Sequence, residues 1–212
     1  VKTESSANIK TNLEREGERL MRTETCILTY SGRVVDLLSP RPTDISLFDI
    51  AEGLSKLCRY NGHVQSFYSQ AQHNCIVSDY LGHDVKPYGL FYDAHQAYLG
   101  HLIKPVRAAL HIKNSQDAIG DLSLLMQEAI HHAFGLKFPP HEKVIRIVRQ
   151  KKEMISLSEK RDLIPDYELS EHERNRVLAH MIHPWSWLKS HKIFLEKCRE
   201  IGVRKPEILK HF

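Results

Sequence analysis

Apolar residues in this 212-residue chain fall first into two short runs and then into stripes of helical period. The runs Cys26–Tyr30 and Arg33–Leu37, on either side of Ser31-Gly32, predict a small β-hairpin, which Pro40 and Pro42 end. Ser46 with Asp49 three residues on is a weak capping box, and Ile50, Leu54, Leu57 and Cys58 stripe the helix behind it until Asn61-Gly62. Ser69 with Gln72 opens a second helix through about Leu81, with His73 near its N-terminus. Pro87 suits the first turn of a third helix and Gly100 its C-terminal cap. A longer helix over 118–134 rests on Ile119, Leu122, Met126, Ala129, Ile130 and Ala133, and another runs from Pro140 to about Leu163 on Val144, Ile147, Val148 and Ile155. Pro165 and Pro184 divide two further helical stretches. The pattern predicts an all-α bundle with a short β-hairpin near its start.

Composition changes this picture little. A chain with 42% hydrophobic and 26% charged residues is an ordinary globular domain with trimmings. Residues 1–22 read as a polar arm, either loose or a solvent-facing helix. No apolar run approaches the ~18 residues of a membrane helix, and the first thirty residues are too charged for a signal peptide. The expected location is cytoplasmic, with no membrane partner. Cys26, Cys58, Cys75 and Cys198 lie far apart without a CxxC pair, as buried free thiols do. Residues 186–212 carry seven Lys/Arg against three Glu, enough for the whole net charge of +4. Residues 201–212 therefore form a basic tail, but no aromatic stacking platform accompanies it, so nucleic acid is not the expected partner.

Candidate chemistry lies in two polar segments, Ser69-Gln-Ala-Gln-His73-Asn-Cys75 and Phe91-Tyr92-Asp93-Ala-His95-Gln96-Ala-Tyr98-Leu-Gly100-His101. Asp93, flanked on its helix by Leu90 and Ala97, is expected to face Lys152, Gln96 or His73. Lys152 projects from an apolar stripe, with Val148 four residues before it and Ile155 three after. Two placements remain open: an ammonium paired with Asp93, or a side chain snorkelling to solvent. The Arg59 guanidinium suits a phosphate, and equally a salt bridge to Asp49 or Glu52. His131-His132 near a helix end reads as an exposed pair.

The ordered matches Gly32-Arg-Val-Val-Asp-Leu-Leu-Ser-Pro-Arg-Pro42, Cys58-Arg59-Tyr60-Asn61-Gly62-His63, Phe67-Tyr-Ser-Gln-Ala-Gln-His73, Asp93-Ala-His-Gln-Ala-Tyr-Leu-Gly100, Lys104-Pro105-Val, Glu159-Lys-Arg-Asp162-Leu and Pro184-Trp-Ser, then Phe194-Leu, carry a resemblance. Over roughly residues 26 to 200 the chain resembles HD-superfamily phosphohydrolases of the 5'-deoxynucleotidase branch. The resemblance implies an HD-domain helical bundle, taken here as residues 23–200, and a metal held by a His, a His-Asp pair and a later Asp. It places His73 at the first ligand and Asp93 at the Asp of the pair, whose His is Tyr92 here. The acid/base Glu becomes Gln96, the family's Gly-Asp becomes Gly100-His101, and the final ligand falls at Lys152. It also gives Arg59 the role of a phosphate contact.

Three functional readings follow. In the first, the fold persists without metal-dependent hydrolysis; no residue is catalytic and no cofactor is expected. Arg59, His73, Asp93, Gln96, His101 and Lys152 then line a pocket for a nucleotide or other phosphate-bearing small molecule. In the second, His73 and Asp93 hold Mn, Co, Ni or Zn with help from His63, His95 or His101, in an active, rewired nucleotidase. In the third, the bundle is a protein-interaction module, a homodimer formed through its basic C-terminal helix.

Overall fold

The computed structural model describes residues 24–113 and 117–203; the arm at 1–22 and residues 204–212 of the basic tail lie outside the described residues. Strands β1 (Cys26–Leu28) and β2 (Val34–Asp36) pair antiparallel, with Ile27 opposite Val35 and Leu28 opposite Val34. Period-two alternation buries Val35 and leaves Leu28 and Val34 outside. The turn is tied down by α1 (Leu47–Lys56), whose Asp49 accepts from the backbone N–H and the hydroxyl of Ser31 at 2.8 and 2.7 Å. Nine helices and this hairpin make up the regular structure among the described residues, so the all-α class holds.

Helix α2 (Gln70–Asp79) starts where Ser69 accepts from the Gln72 N–H. The third helix expected between Pro87 and Gly100 is in fact two, α3 (Lys86–Leu90) and α4 (Gln96–Leu99). Side chains claim the carbonyls at the break: Asn74 Nδ2 donates to Leu90 O at 3.0 Å and Gln127 Nε2 to Phe91 O at 2.6 Å. The backbone between them tightens into turns, as in the Ala94 N–H bond to Phe91 O. Helix α5 (Lys104–Lys113), which apolar spacing did not signal, contains no buried residue. Then follow α6 (Ala118–Ala133), the long α7 (Glu142–Leu163), the single turn α8 (Glu171–Arg174) and α9 (Trp187–Glu200). None of the helices among the described residues is long and apolar enough to cross a membrane.

Two apolar clusters hold the bundle together. One gathers Val35, Ile50, Leu54, Phe91, Met126, Ile130 and Phe194; the other Tyr68, Val77, Val148, Ile155 and Leu163. Helix α2 feeds both, Ala71 and Cys75 into the first and Val77 into the second. A helix covered on both sides has no wet face for its polar residues. Gln70, Gln72, His73 and Asn74 are accordingly all buried, and each needs an internal partner.

Candidate functional site

The partners of Gln70 and His73 form one continuous polar chain across the bundle, while Gln72 bonds the backbone of His183 and Trp185. Arg59 follows Cys58 into a 3-10 turn in which Tyr60 and Asn61 take left-handed backbone angles (φ 55 and 53°). Such angles cost a non-glycine residue free energy and persist where the surroundings enforce them. The return is contact with Glu159. One of its oxygens accepts from Arg59 Nε (3.2 Å), Arg59 Nη2 (2.8 Å) and Tyr60 OH (2.7 Å). The other accepts from Tyr68 OH (2.8 Å) and lies 2.6 Å from His73 Nδ1. Burial alone would raise the Glu159 pKa, but the charge of Arg59, and then its contact with His73, overrides it and brings it down to about 2.

A carboxylate only accepts, so His73 carries its proton on Nδ1 and its Nε2 is a bare lone pair. Burial, then the Arg59 charge, lowers the His73 pKa and keeps the ring neutral. Nε2 is buried without a hydrogen-bond partner among the described residues and lies 3.8 Å from Asp93 Oδ2. Asp93 receives Gln70 Nε2 on Oδ2 and Gln96 Nε2 on Oδ1, each at 3.2 Å. Lys152 Nζ reaches both of its oxygens, at 2.6 and 2.8 Å, and sits 4.1 Å from the centre of the Tyr92 ring. Burial pushes the Asp93 pKa up, and Lys152, His73 and His95 together drive it well below the usual carboxylate range. In the order Arg59, Glu159, His73, Asp93, Lys152 the neutral imidazole thus lies between two carboxylates, each paired with its own cation, and the five side chains cancel.

All six residues singled out from the sequence belong to this network: Gln96 Oε1 accepts from His101 Nδ1 at 2.7 Å and extends it to the surface. Of the two placements open to Lys152, the ion pair is found; its side chain is 23% exposed. Three expectations are corrected. Arg59 pairs with Glu159 and donates to Gln70 Oε1 at 2.7 Å, because Asp49 is taken by Ser31 and Glu52 by Lys56. His63 is exposed and His95 turns to Gln127, so neither joins His73. His131 is buried rather than exposed, held by Gln127 at 3.1 Å, and only His132 faces solvent.

Does this donor set fit the metal the resemblance implies? His73, oriented through Nδ1 by a carboxylate, and Asp93 are of the right type. The ammonium of Lys152, however, already contacts both Asp93 oxygens, and Tyr92 presents a ring where a third donor is needed. Among the described residues no group of three or more His, Cys, Asp or Glu is placed to hold a metal ion. Two donors beside a fixed cation do not make a divalent site.

Sequence reasoning missed Glu159, the most heavily bonded member. It lies seven residues after Lys152 on the same helix, so the stripe argument that flagged the lysine reaches it too. Gln70, the link between Arg59 and Asp93, carried no signal beyond its place behind the capping Ser69. A cavity of about 230 Å³ opens beside the network, between α4, α5 and α6, and shares only Gln96 with it.

No family model matches the chain. An uncharacterized protein of Rhodobacter capsulatus is 35% identical over 115 residues, which cover 50% of this chain and 56% of that protein. The uncharacterized protein YfdR of Escherichia coli is 34% identical over 84 residues, 40% of this chain and 47% of that protein. The chain spans about half the length of the curated relatives it matches.

Proposed function

We propose that this chain is a homologue of the HD phosphohydrolases whose metal centre has become a self-neutralised ion-pair network. It works by binding a nucleotide or other phosphate-bearing small molecule, without metal-dependent hydrolysis. The observation that carries this reading is the double contact of Lys152 Nζ with Asp93, at 2.6 and 2.8 Å, beside the unpartnered Nε2 of His73. A covalently tethered ammonium satisfies the carboxylate and offers no open position for water. Gln96 stands at the acid/base position and cannot exchange a proton near neutral pH. General acid–base catalysis is worth about 10²–10⁴ in rate, and its loss adds to that of metal-assisted water activation. Arg59 and His73 are wholly inside and support the site; the half-buried Lys152, Gln96 and His101 form its accessible edge.

The test is the restoring triple substitution Tyr92→His, Gln96→Glu and Lys152→Asp. The folded triple variant should take up about one Mn²⁺ or Co²⁺ per chain where the parent takes up none. A folded triple variant without metal would show that these positions do not correspond to a metal centre.

A further inference from the structure

The cavity beside Gln96 lies between α4, α5 and α6. Its aliphatic lining is Leu37, Leu99, Leu102, Ile119 and Leu122, and among the described residues Arg107 is the one lining residue with a permanent charge. Among the described residues that guanidinium has a single exposed ion-pair contact, 3.4 Å from Asp117 Oδ2, which leaves most of its donors uncommitted there. Gln96 forms a fixed part of the lining, since its amide is held at one end by Asp93 and at the other by His101. His95, also in the lining, points Nδ1 at Gln127 Oε1, 3.1 Å away, and so keeps Nε2 as an acceptor.

We propose that this cavity binds a small phosphate monoester with one apolar ring or branched chain, the phosphate on Arg107 and the apolar body against the five aliphatic side chains. Pockets for drug-sized ligands span roughly 300–1,000 Å³. A cavity of about 230 Å³ is therefore matched to a single-ring ester rather than to a whole nucleotide. A planar guanidinium binds phosphate oxygens in pairs, and aliphatic walls exclude the water that would compete. Through Gln96 the occupant borders the Asp93–Lys152 pair without touching it.

The inference deepens the binding reading above and rests on it, but the two fail in different assays. Phenyl phosphate is titrated calorimetrically into the full chain, the Leu122→Trp variant, which fills the cavity, and Arg107→Gln, which removes its charge; thermal melts confirm that each is folded. The expected results are binding by the parent, loss of measurable binding in Leu122→Trp, and at least about tenfold weaker binding in Arg107→Gln. Inorganic phosphate, which lacks the apolar body, should bind at least about tenfold more weakly than phenyl phosphate. Absence of binding to the parent, unchanged binding in folded Leu122→Trp, or equal affinity for inorganic phosphate each overturns the cavity assignment. Mn²⁺-dependent phenol release from the same samples would overturn the metal-free reading instead, and the two substitutions would still decide the cavity.

Discussion

Lys152 and Asp93 stand 59 residues apart and meet at 2.6 Å, joining α7 to the turn between α3 and α4. Removing the lysine leaves a buried carboxylate with two amide donors and no counter-charge. Breaking a buried pair costs about 3–5 kcal/mol, and the partial exposure of Lys152 puts this case at the low end, about 3 kcal/mol. Lys152→Ala should therefore lower stability by that amount in urea unfolding, and Lys152→Met with Asp93→Asn should recover at least half. A single variant as stable as the parent would show that the pair does not hold α7.

Glu159→Gln should be the more damaging change. It leaves the buried Arg59 guanidinium unpaired and places an amide N–H₂ against donors from Tyr60, Tyr68 or His73. The expected loss is about 4 kcal/mol or more. Adding Arg59→Met to it should cost far less than the two single losses together, a coupling that a double-mutant cycle measures. Simple additivity would contradict the network.

Acid should weaken the fold in two stages. His101 and His131 are each lowered from the usual 6.5 to about 4, His101 by burial and then Arg59, His131 by burial and then His132. Glu159 is lowered from the usual 4.5 to about 2. In all three the folded pKa lies below the unfolded one, so the unfolded chain binds more protons within each window and stability rises with pH there. The contributions are complete above pH 6.5 for the histidines and above pH 4.5 for Glu159, and disappear as pH falls toward 4 and toward 2. Denaturant midpoints measured from pH 7.5 to 3.5 should fall from about pH 6.5 downward. A profile flat from pH 7 to 5 would mean that the histidines charge freely in the folded state.

Gly53→Ala tests how packing positions the site. A Cβ on Gly53 would stand 2.9 Å from Ala97 O and 3.0 Å from Ala97 Cβ, so α4 must move away. Overpacking of this kind costs about 1–3 kcal/mol. Because Gln96 precedes Ala97, the amide and imidazole resonances of His101 should shift as well. A stability loss with no change at His101 would separate α4 packing from the network.

The fold was legible because its signals are local. Ser46 and Ser69 cap the helices they were expected to cap, and Gly32 and Gly100 take the positive φ that their turns require. The break at Phe91–His95 was not legible, since it depends on Asn74 and Gln127, side chains from other helices that take the carbonyls there. Helix α5 was missed because it buries nothing and so leaves no apolar stripe to read. The six candidate residues were singled out through the resemblance and the odd position of Lys152 among apolar neighbours, and the structure joins them in one polar network. Glu159 was not, because its importance comes from Arg59 and His73, 100 and 86 residues away in the chain.

In the metal-free reading proposed above, the Lys152 ammonium stands where a divalent cation would. The most direct measurement is metal content after exposure of untagged protein to Mn²⁺, Co²⁺ or Ni²⁺ and desalting, with a His73→Ala control. Far less than one ion per chain, unchanged in the control, is the expected content. About one tightly held ion per chain, lost in His73→Ala, would contradict that reading.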